Sequence, residues 1–191
     1  MNHSSLTVSF LLCLLPRISA ADTPAAAAPS GNAERLRPRA GSFSIAALGG
    51  YNYGADFGAG GSRLSFGYGG RAGYSFEATR LYLGVTVVGH QNEVEYDDTS
   101  ETGTEQYVNV GIDIGAELEA APFIVRPYLG VGAQLGIYDG PSGGNSGIFP
   151  HLSPGVLARY PLGPLDIGVD ARLELGGSRA LCALGSVGVA F

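Results

Sequence analysis

His151 and Ser153, two positions apart, are the side chains that most directly suggest nucleophilic catalysis. A serine hydroxyl becomes a nucleophile when a nearby histidine takes its proton and an acid orients that histidine. Residues two apart on a β-strand share a face, so His151 and Ser153 would point the same way. However, Pro154 follows the serine, and the next acid downstream is Asp166, beyond a predicted turn. We therefore predict that this pair is not catalytic.

A second cluster of functional groups is acidic. Five carboxylates lie close together in the segment NEVEYDDTSETGT, namely Glu93, Glu95, Asp97, Asp98 and Glu101. Carboxylates bind calcium in some loops, but this segment lacks the ligand spacing and the glycine of such a loop. We interpret it as a solvated surface loop, with binding of a divalent cation or a partner as the functional alternative. No metal, haem or dinucleotide motif occurs, so we expect no cofactor.

Charged residues also recur at alternate positions of predicted strands, on a face that is otherwise rich in glycine. They are Arg71, Asp113, Glu117, Arg126, Arg159, Asp166, Asp170, Arg172 and Glu174. Four arginines and five acids can pair almost completely, and unpaired buried charge is costly. We interpret them as an ion-pair network that fills a small polar interior. The alternative is a narrow conduction path lined by charge.

These residues are predicted to lie on β-strands, because apolar and polar residues alternate along the chain with a period of two. We predict eight strands, at about residues 42–53, 64–76, 81–90, 106–118, 124–138, 148–160, 165–175 and 180–191. Most of them reach the roughly 9–11 residues that cross a bilayer at a tilt. The sixth has the poorest pattern, because Pro150 and Pro154 interrupt it.

The connections and faces of these strands suggest a membrane barrel. Connections after the second, fourth and sixth strands are short, whereas those after the first, third and fifth are long, including 91–105 and 139–147. The short last connection, 176–179, departs from this alternation. Each apolar face is aliphatic in the middle and aromatic near its ends, as in the lipid-facing band of a transmembrane barrel. Such a sheet must close, because lipid cannot satisfy an open edge.

Composition agrees with this interpretation. The chain has 191 residues, enough for one domain, and 31 are glycine. Its formal charge of −6 argues against nucleic acid as a partner. Only 15% of the residues are charged, against about 25% in a typical soluble protein, so part of the surface is expected to face something other than water.

The N-terminal segment predicts export. Residues 1–21 combine an apolar run, Leu6–Pro16, with small residues before a cleavage site, which is typical of a signal peptide. Residues 22–41 are rich in alanine and proline and predict a flexible linker outside the cytoplasm. The barrel then covers residues 42–191, and Cys182 is its only cysteine, so no internal disulfide is expected.

From about residue 42 to 191 the chain resembles the small outer-membrane β-barrel family, whose type member is the transmembrane domain of outer-membrane protein A. The resemblance rests on the signal peptide, eight amphipathic strands, alternating turn lengths and a C-terminal strand that ends in Phe191. The segments RPYLGVGAQLG and DIGVDARLELG also resemble family segments. The resemblance implies an all-β, eight-stranded antiparallel up-and-down barrel in a Gram-negative outer membrane, with both termini in the periplasm.

The same resemblance implies partners and a role. Val187, Val189 and Phe191 resemble the C-terminal signal that the barrel-assembly machinery reads, and the barrel wall would contact outer-membrane lipid. The family includes anchors, adhesins, ligand-binding barrels and a few lipid-modifying enzymes. We expect a structural or surface-binding role through the outer loops, without catalysis and without a nucleic-acid partner; the extracellular partner is unknown.

Two other functions fit parts of the sequence. The His151-x-Ser153 spacing is similar to the catalytic residues of the lipid A deacylase barrel, although Pro154 stands where that family has asparagine. The predicted register also points both side chains inward, whereas that enzyme acts at its outer wall. A secreted, soluble lipocalin-like barrel that binds an apolar ligand is the second alternative, and it requires the apolar faces to point inward.

Overall fold

The computed structural model describes residues 41–55, 62–76, 78–95, 102–140, 143–177 and 179–191. The predicted signal peptide, 1–21, lies outside the described residues, as does all of the predicted linker except Gly41. Among the described residues, no helix is long and apolar enough to span a membrane.

Nine strands form one sheet. They are β1 (Ser42–Ala55), β2 (Ser62–Ser75), β3 (Leu81–Glu95), β4 (Thr102–Ala116), β5 (Leu118–Ala120), β6 (Phe123–Gly140), β7 (Gly143–Leu162), β8 (Leu165–Leu175) and β9 (Arg179–Ala190). The three residues of β5 continue β4 beyond Glu117, and both strands pair with β6. The sheet therefore has eight strand positions.

The sheet closes on itself. Consecutive strand positions pair antiparallel, with β4 and β5 counted as one position, and β9 pairs with β1, where Val189 lies opposite Ile45. The predicted eight-stranded antiparallel up-and-down barrel is thus confirmed. Closure satisfies the backbone groups that an open sheet would leave unpaired at its edges.

The two ends of the barrel differ. At one end, called here the short-turn end, the connections are Phe76–Arg80, Ala121–Pro122 and Gly163–Pro164, and β1 begins and β9 ends there. The opposite end, called the long-hairpin end, carries the β1–β2, β3–β4, β6–β7 and β8–β9 connections.

Two of the predicted long loops are wrong in extent. The β3–β4 ladder continues to the pair Glu95–Thr102, inside the predicted loop 91–105. The β6–β7 ladder continues to the pair Gly140–Gly143, so only residues 141–142 separate two strands where 139–147 was predicted to be a loop. The glycine and polar residues of these segments predicted turns, but backbone pairing with the neighbouring strand outweighs that local preference.

The prolines of β7 do not end the strand, contrary to the weak pattern around them. Pro150 pairs with Ala133 of β6, and β8 has already ended at this height, because its last partner on β7 is Leu152. Pro154 lies where the β7–β8 ladder skips two residues of β7. A missing N–H is tolerated at an unpaired edge or at a gap in a ladder, which is where both prolines lie.

The sheet is apolar on its outer face and polar on its inner face. Along β3, Leu83 and Val85 are exposed on the outside, whereas Tyr82 and Thr86 are buried inside. Among the described residues, twenty polar or charged residues are buried, against nine apolar ones. A lipocalin-like barrel would bury its apolar face, so this arrangement is the reverse of that alternative.

Inward glycines make room for two tyrosine rings. A Cβ atom on Gly73 or Gly84 would collide with the ring of Tyr82, which lies across both positions. A Cβ atom on Gly155 would lie 2.5 Å from the Tyr128 hydroxyl. The glycine-rich inner face therefore allows large side chains to cross a narrow lumen.

Candidate functional site

The half of the lumen near the short-turn end is organised around Glu117, the residue between β4 and β5. The Arg159 Nη2 donates to Glu117 Oε1 at 2.6 Å, and Arg126 from β6 donates to the same oxygen. The Ser75 hydroxyl donates to it as well, at 3.0 Å. Arg159 also pairs with Asp166 of β8 at 3.4 Å. One carboxylate thus joins β2, β6 and β7.

A second centre is Asp170 of β8. Arg71 joins two acids, with Nε 2.9 Å from Asp113 Oδ2 and Nη1 2.7 Å from Asp170 Oδ2. Arg172 Nε lies 3.2 Å from Asp170 Oδ1, and the Tyr128 hydroxyl donates to that oxygen at 2.7 Å. Arg71 thus links β2 to β4 and to β8, and Tyr128 links β6 to β8, so these contacts extend into the lumen between strands that are not neighbours, whereas Arg172 and Asp170 lie on the same strand.

Aromatic rings complete this network. The guanidinium carbon of Arg126 lies 3.5 Å from the Tyr82 ring centroid, and that of Arg71 lies 4.5 Å from the Tyr128 ring centroid. Such cation–π contacts gain strength where water is excluded. Neither tyrosine was predicted to belong to the charged lumen, although each lies on a predicted polar face, which is the signal that identifies it.

Glu174 has a different environment from the other predicted lumen residues. It lies toward the long-hairpin end, where Asn109 Nδ2 donates to its Oε2 at 2.6 Å and His90 Nε2 lies 3.6 Å from the same oxygen. His90 also stacks near Tyr107, with ring centroids 5.7 Å apart. His90 and Asn109 were not predicted as lumen site residues. Each lies an even number of residues from the inward-facing residues of its own strand, β3 or β4, and this spacing predicts that it also faces inward.

The structure places the His151–Ser153 pair inside the lumen. Their exposed fractions are 6% and 3%, and they follow one another along the inner face of β7. Among the described residues, neither side chain has a hydrogen-bond partner, so the histidine-to-serine hydrogen bond that activates a nucleophile is not formed. Both groups lie away from the outer wall. No group of three or more His, Cys, Asp or Glu side chains in the described part of the chain is arranged to hold a metal ion.

The predicted assembly segment lies on the outside of the last strand. Val187 and Phe191 are exposed, and Val189 is half-buried between Ile45 of β1 and Leu165 of β8. The backbone N–H of Phe191 donates to the Phe43 carbonyl at 2.9 Å, which joins the C-terminus to the first strand.

The acidic segment lies at the long-hairpin end. Glu93 and Glu95 belong to β3, whereas Asp97, Asp98 and Glu101 lie outside the described residues. Glu105 of β4 accepts a hydrogen bond from the Tyr107 hydroxyl at 3.1 Å. Asp139 of β6 is exposed beside the same strand, where it pairs with Thr104.

Three solved structures share this fold. Ail of Yersinia pestis, the attachment invasion locus protein in complex with the heparin analogue sucrose octasulfate, is 15% identical, with a TM-score of 0.60 over 80% of this chain and 99% of that one. Neisserial surface protein A is 21% identical, with a TM-score of 0.54 over 79% and 99%. The N-terminal β-barrel domain of Pseudomonas aeruginosa OprF is 15% identical, with a TM-score of 0.56 over 80% and 98%.

No curated protein matches the chain in sequence. The outer membrane protein beta-barrel domain family, in contrast, matches residues 10–177. This match covers most of the sequence and agrees with the closed barrel, its apolar outer face and its charged lumen. The chain therefore belongs to the outer membrane protein beta-barrel family.

Proposed function

We propose that the chain is a non-catalytic barrel that displays its long hairpins at the cell surface and binds partners there. The observation that carries this proposal is the contrast between the two ends. The β3–β4 and β6–β7 ladders continue well beyond the pair Leu152–Leu175, where β8 ends. At the other end, the connections that the structure describes in full are two-residue turns, at residues 121–122 and 163–164. In outer-membrane barrels the short turns face the periplasm and the longer connections face outward.

The lumen supports a structural role rather than conduction. Arg71, Arg126, Arg159 and Arg172 all contact buried acids. Arg71 joins β2 to both β4 and β8, and Arg159 of β7 contacts Glu117 between β4 and β5, so these pairs link strands that are not neighbours in the sheet. An eight-stranded barrel has an interior that side chains largely fill. An ion that passed through would have to separate these pairs, each of which is shielded from water.

The charge of the long hairpins indicates the kind of partner. Ail was solved with a sulfated sugar, which is a polyanion. In this chain, residues 93–105 carry six carboxylates and no basic residue. Like charges repel at an interface, so we expect partners with cationic groups rather than sulfated sugars. Insertion itself would require outer-membrane lipid and the barrel-assembly machinery.

Cysteine labelling on intact cells tests the proposed orientation. Ser146→Cys places a thiol in the exposed β6–β7 hairpin, and Glu119→Cys places one at the exposed short-turn end. A membrane-impermeant maleimide should label Ser146→Cys in intact cells and Glu119→Cys only after the outer membrane is permeabilised. Cys182 is 1% exposed, so the unsubstituted chain is the control for background labelling. The reverse pattern would refute the proposal.

A further inference from the structure

The β7 strand has an edge without a neighbour at the long-hairpin end. It pairs with β6 from Arg159 to Gly143, but its pairing with β8 stops at Leu152. The turn that follows β8 covers part of the edge of β7 beyond Leu152. A Cβ atom on Gly177 would lie 2.5 Å from the Phe149 ring, and one on Gly176 would lie 3.4 Å from the Pro150 carbonyl oxygen.

The free edge is therefore Gly143–Ile148, here called the β7 edge, and no described strand pairs with its outer side. Six extended residues offer about 20 Å of unpaired backbone, the length of an ordinary strand. Residues 144–146 and Ile148 are exposed, and Ile148 is 76% exposed.

Nothing in the β7 edge prevents another strand from pairing with it. Proteins usually protect a free edge with lysine, proline, an inward charge or a bulge. The sequence GGNSGI contains none of these residues, its ladder with β6 is regular, and Pro150 lies beyond it. An edge that is long, regular and uncharged is a template for strand addition, in which backbone hydrogen bonds provide affinity and side-chain contacts provide specificity.

The side chains around the β7 edge specify what such a strand should carry. Asp139 of β6 lies directly opposite Gly144, on the outer face of the hairpin. Because Gly144 has no side chain, a long cationic side chain on an added strand can reach across it to the Asp139 carboxylate. Ile148 lies four residues further along the same face and offers an apolar contact.

We propose that the β7 edge binds an extended peptide segment of a partner protein as an added strand. The segment carries a basic residue beside Gly144 and an apolar residue beside Ile148, four positions apart. The inference rests on the proposed function, because the β7 edge must face outside the cell to meet the partner.

Charge favours a basic partner over a second copy of this chain. Two copies with paired β7 edges would bring their Asp139 carboxylates and their acidic β3–β4 hairpins close together, and the chain already carries a charge of −6. Two copies in one membrane would also meet with their β7 strands parallel, which is the slightly less stable pairing.

A designed peptide tests strand addition directly. The probe is a fluorescent eight-residue peptide with an isoleucine followed four positions later by a lysine and with threonine elsewhere, an order that fits antiparallel addition. Its binding to the full chain in detergent micelles is followed by fluorescence anisotropy. Two further peptides carry N-methyl groups on every second backbone amide. One is methylated at the odd-numbered positions and the other at the even-numbered positions. Because only one set of amides faces β7, one methylated peptide should lose binding and the other should retain it.

The variant Asp139→Asn tests the charge contact. It should weaken binding of the lysine peptide by about one and a half- to fivefold, as expected for an exposed ion pair. The affinity of a second peptide, in which alanine replaces the lysine, should not change. Glu119→Gln, which removes an exposed carboxylate at the opposite end, is the matched control and should change neither.

Three results would overturn the inference: no saturable binding, equal binding of both methylated peptides, or equal effects of Asp139→Asn and Glu119→Gln. The labelling of Ser146→Cys decides the orientation independently. Failed peptide binding together with successful labelling would refute this inference and leave the proposed function intact.

Discussion

At the scale of single residues, the lumen depends on shared acceptors. Glu117 accepts hydrogen bonds from Ser75, Arg126 and Arg159. Asp170 forms ion pairs with Arg71 and Arg172 and accepts a hydrogen bond from the Tyr128 hydroxyl. Alternation predicted which charged residues face inward, because a strand has a period of two. It could not predict which acid each arginine selects, because those contacts depend on the curvature of the closed sheet and on long, flexible side chains.

Neutralising a shared acceptor should destabilise the barrel strongly. Glu117→Gln keeps the size of the side chain but leaves Arg126 and Arg159 without their common counter-charge. Breaking a buried ion pair typically costs about 3–5 kcal/mol of unfolding free energy. Urea unfolding of the barrel in detergent micelles measures this change.

The control for that experiment is Glu119→Gln. Glu119 lies 3.9 Å from Arg80, and both side chains are more than half exposed. An exposed pair contributes at most about 1 kcal/mol. Equal losses in the two variants would contradict the assignment of Glu117 to a buried network.

The stability cost of a charge on the outer wall should depend on how deeply the substituted residue lies in the membrane. Val110 lies on the outer face near the middle of β4, and Leu118 lies on the same face close to the short-turn end. Val110→Arg should cost about 2–4 kcal/mol and Leu118→Arg about 0–1 kcal/mol, because the penalty falls from the midplane to the interface. Refolding yield and unfolding free energy in lipid vesicles measure the difference. Equal costs at both positions would argue against a lipid-facing wall.

At the scale of elements, strand existence was predictable and strand length was not. The strand 165–175 was predicted with the bounds of β8, because its alternation is uninterrupted. The strand 81–90, in contrast, extends as β3 to Glu95, and 148–160 extends as β7 from Gly143 to Leu162. Polar and glycine-rich residues carry no face signal, so only pairing with β4 and β6 shows that these segments are strands. The β7 edge, which follows from this extension, was therefore not visible in the sequence.

The C-terminal strand provides a prediction about assembly. Val187 and Val169 face outward on adjacent strands with almost equal exposure, 60% and 59%. Replacing either with serine removes a similar lipid contact. If Val187, Val189 and Phe191 form a signal for the assembly machinery, Val187→Ser should slow the appearance of folded barrel in cells, whereas Val169→Ser should not. Pulse-chase labelling measures this rate, and refolding into pure lipid vesicles, where both should behave alike, is the control.

Equal rates for the two serine variants in cells would contradict a signalling role for Val187. A defect of Val187→Ser in pure vesicles as large as in cells would also contradict it, because no machinery is present there.

At the scale of the whole molecule, the barrel is inverted relative to a soluble protein. Most of its large apolar residues lie outside and its buried ion pairs lie inside, and the closing pair of β1 and β9 removes the sheet edge within the wall. Surface of this kind is stable only against lipid, because a broad apolar exterior in water would drive association. The two-faced alternation predicted this inversion only together with strand length and composition, since either face could have been the core.

Membrane fractionation, combined with gels of unheated and heated samples, tests whether the chain is a closed barrel whose wall faces lipid. The chain, expressed with its N-terminal segment in a Gram-negative host, should be recovered in the outer-membrane fraction. It should also migrate differently before and after boiling, because the closed barrel resists detergent until it is heated. Recovery as a soluble protein, with the same mobility in both samples, would contradict a lipid-facing barrel.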